Sequence, residues 1–192
     1  SLSFGKVALG YFIGFLFYGW WWHVLVYQLV ARHGRHVERK KLLFRDLYYY
    51  AYEFLLEKGY SKEDHPDLVK KVYSLQFFSD EYGKSFHSRH AGLWTILSVV
   101  TLGIAAYVAA FFLMEDVKRM QKFEKEYLEH LSEVFMDLDV LSYPIPYDRE
   151  VPMREFGIFL ALSFVTLGLF WFYWWYVLVA DYNIFFDASE RW

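Results

Sequence analysis

Cysteine is absent from the 192 residues, which excludes disulfides, thiolate metal sites and cysteine nucleophiles. Asparagine and glutamine are nearly absent too: Gln28, Gln76, Gln121 and Asn183 are all there are. Scarcity of these residue types fits a thermophile source. Proline occurs only four times, and Pro144, Pro146 and Pro152 together mark a single break in the chain. Neither sign of charge dominates, since 20 Lys+Arg stand against 23 Asp+Glu for a net charge of −3. That balance leaves no electrostatic footprint for nucleic acid. No nucleophile motif, phosphate-binding loop or metalloprotease helix is present, so no enzymatic activity is expected. What the chain holds in excess is apolar: 56% hydrophobic and 23% aromatic, which excludes a disordered or fibrous protein. The mean hydropathy of +0.13 averages over strongly apolar blocks and charged stretches.

Three blocks carry the apolar excess: residues 7–31, 91–114 and 156–180, none containing Asp, Glu, Lys or Arg. Each exceeds the ~18–20 residues that a helix needs to cross ~30 Å of hydrocarbon. The first block is too long for a signal peptide, and Trp20, Trp21, Trp22 and His23 are unlike a small-residue cleavage site. It reads as a retained membrane segment. Aromatic residues crowd the far halves of blocks one and three, as in Trp20–Trp22 and in Phe170 through Tyr176, a distribution expected of interfacial belts.

Blocks two and three match at an offset of 65 residues. Ser98 pairs with Ser163, Thr101 with Thr166, Gly103 with Gly168 and Asp116 with Asp181, around a shared L-S-x-V-T-L-G string. Polar residues in register inside apolar runs read as an internal repeat. Block one fits less well, lacking the Ser and Thr. Two placements follow. Each block is one spanning helix, giving inverted repeats, or Gly103 and Gly168 split blocks two and three into half-length hairpins that do not cross. The basic first connector, residues 32–90, has 12 Lys+Arg and 9 Asp+Glu, and the acidic second, residues 115–155, has 6 and 11. The positive-inside rule then favours three spans in a multi-pass cell-membrane protein, with the first connector cytoplasmic.

The connectors carry apolar stripes of their own. Phe44, Leu47, Tyr48, Ala51 and Leu55 recur at helical spacing, as do Val117, Met120, Phe123, Tyr127, Leu131, Val134 and Leu138. Gly59 suggests a helix C-cap, and Ser61 through Asp64 a capping box opening another helix near His65. The expected fold class is therefore an all-α integral membrane protein with three apolar membrane segments and long amphipathic connector helices. Its parts are a first segment over 1–31, connectors over 32–90 and 115–155, repeat copy A over 91–114, and copy B with a short tail over 156–192.

Candidate site residues fall into three groups. His33, Arg35 and His36 follow block one, and His87, Arg89 and His90 precede block two. Imidazoles at helical spacing suit a transition metal, and the arginines suit lipid phosphates. His23 lies inside block one beside three tryptophans, where haem or a pigment is the sharpest reading and a packing residue the plainer one. Ser98, Thr101, Gly103, Ser163, Thr166, Gly168, Asp116 and Asp181 serve helix packing or line a pore.

The strings LSVVTLGI and LSFVTLGLFWFYWW, each followed by an acidic residue, resemble a family of small prokaryotic integral membrane proteins of unknown function. Its repeated signature runs S-x-x-T-x-G, then aromatics, then D-x-N. Ser163, Thr166, Gly168, Asp181 and Asn183 match it, and Ser98, Thr101, Gly103 and Asp116 match without the aromatics. The resemblance implies a membrane location and a repeat architecture. The functional expectation is a non-enzymatic structural or interaction subunit of a homo-oligomer or larger membrane complex, partnered by lipids and other membrane subunits and needing no cofactor. A small channel or transporter on inverted repeats, and a haem- or pigment-binding subunit, are the alternatives.

Overall fold

A computed structural model describes residues 5–6, 20–101, 103–147, 150–152, 154–166 and 169–189, with the side chains of residues 20–22 and 188–189 outside the description. The described elements are all helical: α1 Trp20–Glu57, α2 Pro66–Ser85, α3 Ala91–Val100, α4 Ile104–Asp137, α5 Phe156–Val165 and α6 Leu169–Ser189. The all-α part of the expectation stands.

The three membrane-spanning segments do not. Among the described residues, no helix is long and apolar enough to cross a membrane. The physical reason is that each later block is broken in its middle. Residues 91–114 divide into α3, which ends after 10 residues, and the start of α4. Residues 156–180 divide into α5, again of 10 residues, and α6. Ten residues rise ~15 Å, half of the ~30 Å of hydrocarbon. Past its apolar turns α4 meets Glu115 and Asp116, and α6 meets Asp181 and Asp187. Most of the first segment, residues 7–19, lies outside the described residues, and α1 soon reaches Arg32, Arg35 and Arg39. The multi-pass cell-membrane placement, with its cytoplasmic first connector, falls with the spans that defined it.

The chain divides into two compact units. Unit 2 comprises Arg35–Ser88 and Met120–Asp148, and is built from α2 with residues 35–57 of α1 and 120–137 of α4. Its core is where the connector stripes go: Phe44, Tyr48, Ala51 and Leu55 from α1 and Met120, Tyr127, Leu131 and Val134 from α4 are all buried. Phe44 stacks on Tyr127 with centroids 3.9 Å apart and meets Tyr82 of α2 edge-on. The Tyr127 hydroxyl donates to the Phe44 carbonyl at 3.2 Å, so the polar end of a buried ring is satisfied. A buried polar group sits beside this core, with Glu124 accepting from or sharing with His36 Nε2 at 2.8 Å and lying 4.0 Å from the buried Lys40 ammonium. Gly59, at φ +70, closes α1 in the left-handed conformation expected of a C-cap. The Ser61–Asp64 hydrogen bonds form in the turn that follows, while α2 opens two residues later on Pro66 with no side-chain cap. Proline at that position loses nothing, since a first-turn N–H has no partner within the helix.

Unit 1 comprises Ser1–Gly34, Arg89–Arg119 and Arg149–Trp192. It contains α3, α5 and α6 with residues 20–34 of α1 and 104–119 of α4. The tryptophans of the α6 aromatic run go to the core, with Trp171, Trp174 and Trp175 buried, while Tyr173 and Tyr176 are exposed. Tyr107 of α4 stacks on Trp171 at 3.6 Å, and Trp174 meets Phe156 and Phe159 of α5. Trp174 also donates its indole N–H to the Met114 sulfur at 3.0 Å. Large rings packed edge to face supply the core that such a short-armed unit needs.

Candidate functional site

Two helical hairpins dominate unit 1, and a threonine caps both helices at each apex. At the first apex the Thr101 hydroxyl donates to the Leu97 carbonyl at 2.7 Å and accepts from the Ala105 N–H at 2.9 Å. One side chain thus caps the end of α3 and the beginning of α4, whose terminal groups lack helical partners. Gly103, at φ +94, lets the chain reverse, and its N–H returns to the Ser98 carbonyl at 2.8 Å. At the second apex Thr166 donates to Leu162 at 2.8 Å and accepts from the Phe170 N–H at 2.9 Å. Gly168, the counterpart of Gly103 in the sequence, lies outside the described residues.

The open ends of the hairpins are closed by equivalent ion pairs. Arg89 pairs with Asp116. Arg154 grips Asp181 through both Nε at 2.7 Å and Nη2 at 3.2 Å. Each pair is separated by 27 residues, and Arg89 and Arg154 stand at the same 65-residue offset as the aspartates. Burial pushes the Asp181 carboxyl above its ordinary range, and the Arg154 hydrogen bonds pull it back toward ionisation. The hydrogen bond to Asp181 in turn raises Arg154, so the guanidinium stays charged.

Around the first pair lies a buried polar network. His33 Nε2 is 3.4 Å from Asp116, and its Nδ1 is 3.2 Å from the Tyr182 hydroxyl. Tyr182 also reaches the Leu113 carbonyl at 3.2 Å, and burial holds its phenol protonated well above the usual range. Nearby, Arg32 donates to Asn183 at 2.7 Å and lies over the Phe186 ring. His23 shares a hydrogen bond with Ser98 at 2.9 Å, and burial lowers its pKa.

Away from this network the hairpins are apolar and uncovered. Flanking the first apex, Val100 is 72% and Ile104 68% exposed. Flanking the second, Phe164 is 74%, Val165 79% and Leu169 73% exposed. Leu93, Ile96, Ile158 and Leu162 continue the exposed apolar surface along α3 and α5. Large apolar side chains exposed in such number mark an interaction site.

The structure sorts the sequence candidates accordingly. Asp116 and Asp181 each sit in a hairpin-closing pair, and Thr101, Gly103 and Thr166 sit at the apices. Ser98 and Ser163 are buried, the latter donating to the Phe159 carbonyl at 2.8 Å. One member of each His-x-x-His cluster reaches Asp116 in unit 1, His33 through Nε2 at 3.4 Å and Arg89 through its ion pair, while Arg35, His36 and His87 belong to unit 2. His33 and His36 are buried beside the carboxylates of Asp116 and Glu124, whereas Arg35, His87 and His90 are exposed. No group of three or more potential metal ligands occurs among the described residues. Sequence reasoning missed Arg154 and Tyr182. Extending the repeat alignment two residues ahead of each apolar block aligns Arg154 with Arg89 and supplies the missing signal. Comparison of the chain with protein-family models, with curated proteins and with solved structures returns no match.

Proposed function

We propose that this chain is a non-enzymatic structural or interaction protein whose two hairpins seat in one leaflet of a lipid surface without crossing it. The observation that carries the reading is the pair of apices, each capped by a threonine and flanked by exposed apolar side chains. Removing one such side chain from water is worth about 1.5–3 kcal/mol, so the exposed arms demand a cover. Lipid fits the arms in three respects. Their ~15 Å length matches about half the hydrocarbon thickness. Thr101 and Thr166 each pair backbone groups of the helices on both sides of their turns, as apolar surroundings require. Their charged residues, Arg89, Asp116, Arg154 and Asp181, stand at the ends opposite the apices, where headgroups and water would meet them. The channel alternative depended on crossing segments and is withdrawn with them. His23 is read as a packing residue hydrogen-bonded to Ser98.

Flotation on phosphatidylcholine–phosphatidylglycerol vesicles at high salt tests the proposal, since salt suppresses adsorption through surface charge alone. The wild-type chain is expected to float. A Val100→Asp/Val165→Asp variant is expected to stay at the bottom with an unchanged helical circular-dichroism spectrum, because both side chains are exposed and leave the core intact. A wild-type chain that does not float, or a variant that floats equally well, overturns the reading.

A further inference from the structure

We infer that the groove between the two hairpins seats one acyl chain of a membrane phospholipid, which rests on the lipid-seated hairpins proposed above. Within unit 1, α4 and α5 leave an open groove of about 770 Å³. Ile104 and Val108 form one wall, and Leu160 and Phe164 the other. Phe111 and Phe156, also in the lining, meet edge to face at 4.7 Å. The space is within the usual range for a small-molecule site.

The lining decides the occupant. Its Ser163 hydroxyl donates to the Phe159 carbonyl, its Tyr107 ring is stacked on Trp171, and the other described lining residues are apolar. A peptide strand laid there would bury backbone N–H and C=O groups against apolar walls, at a large cost for each unpaired group. A flexible hydrocarbon chain requires no polar partner and adapts to the wall. From Ile104 to Phe111 the groove follows α4 for about two turns, or ~10 Å, so a chain would lie along the hairpin arms.

Two further features select a phospholipid over a free hydrocarbon. Ile104 and Phe164 belong both to the groove and to the exposed apices, so the groove is continuous with the surface proposed to face lipid. At the other end, Arg154 stands two residues before Phe156. Its Nε and Nη2 hold Asp181, which leaves the Nη1 side of a partly exposed guanidinium for a phosphate oxygen.

The test uses the full chain on phosphatidylcholine–phosphatidylglycerol vesicles containing a trace of phospholipid spin-labelled on one acyl chain. Electron paramagnetic resonance reads the immobilised fraction of the label. The wild-type chain is expected to immobilise a fraction of the label that corresponds to one phospholipid per protein. Val108→Trp and Leu160→Trp, which fill the groove from opposite walls, are each expected to lose most of that fraction while still floating. Val108 is partly exposed, so its replacement leaves the core undisturbed. An immobilised fraction unchanged in both variants overturns the acyl seat and leaves the lipid-seated hairpins standing. Failure of the wild-type chain to float removes both. Immobilisation of spin-labelled free fatty acid but not of phospholipid overturns the assigned source. A fraction that rises faster than in proportion to the protein-to-lipid ratio reports trapping between copies of the chain and likewise overturns the inference.

Discussion

His23 is a titratable ring on a helix face that packs against apolar α3, and its surroundings set how it responds to acid. Burial lowers its pKa from the ordinary 6.5, so the folded chain resists a proton that the unfolded chain accepts. The contribution to stability is complete above the unfolded value and is lost as the pH falls below it, levelling off once the folded pKa has been passed. Lowering the pH from about 7.5 to about 5.5 should therefore reduce the thermal midpoint more in the wild-type chain than in His23→Gln. Glutamine keeps a hydrogen-bonding group toward Ser98 but does not titrate. Paired melts at the two pH values check the difference, and equal shifts in both proteins would sink it. Other residues resist substitution for a different reason. Glu124 is fully buried beside His36 and Lys40, so its carboxylate is tied to the fold of unit 2 by charge and hydrogen bonding together.

At the level of the element, glycine separates a turn from a helix. Gly103 adopts φ +94, where a side chain is strained even though nothing lies within 4 Å of an added Cβ. Gly92 and Gly157, near the starts of α3 and α5, also have open space, but their φ is not in the positive range. The same substitution should thus have opposite signs. Gly103→Ala is expected to lower stability by about 1–2 kcal/mol, whereas Gly92→Ala and Gly157→Ala should raise it by up to ~1 kcal/mol by restricting the unfolded chain. Chemical denaturation of the three variants decides the matter, and a Gly103→Ala protein as stable as wild type would refute the turn's dependence on its backbone. These positions also show how far the sequence could be read. The connector stripes were legible because a period of three and four residues in a charged background has one solution, a helix buried on that face. The matched Ser98/Ser163, Thr101/Thr166 and Asp116/Asp181 were legible as pairs because polar residues are conspicuous in apolar blocks. Their consequence was not. A threonine and a glycine inside an apolar run suit a straight, closely packed helix as well as a reversal. What decides is whether the threonine hydroxyl caps two helices at once, and that requires backbone geometry. Arg154 escaped notice because its partner lies 27 residues away across the hairpin, beyond any helical spacing.

The two units differ in what they leave uncovered. In unit 2 the amphipathic stripes of α1, α2 and α4 face one another, and aromatic stacking around Phe44, Tyr82 and Tyr127 fills the space between them. Unit 1 has a buried aromatic core as well, but α3 and α5 turn most of their apolar residues outward. A 10-residue helix with one buried serine and several exposed aliphatic side chains has little tertiary packing to hold it, and short isolated helices are marginal in water. Local stability should therefore be uneven. Without lipid, the amides of α3 and α5 should exchange with solvent through local openings, while those of α4 around Tyr127 and Leu131 should exchange only on wider unfolding. Seating the hairpins in a leaflet removes water from the arms and makes each broken backbone hydrogen bond more costly. Hydrogen–deuterium exchange with and without phosphatidylcholine–phosphatidylglycerol vesicles should then show protection rising by at least ~10-fold over residues 93–100 and 158–165, with little change over residues 124–134. A uniform rise across both regions would mean that lipid stabilises the whole chain rather than the arms. No rise over the arms would leave their exposed apolar faces to a protein partner instead.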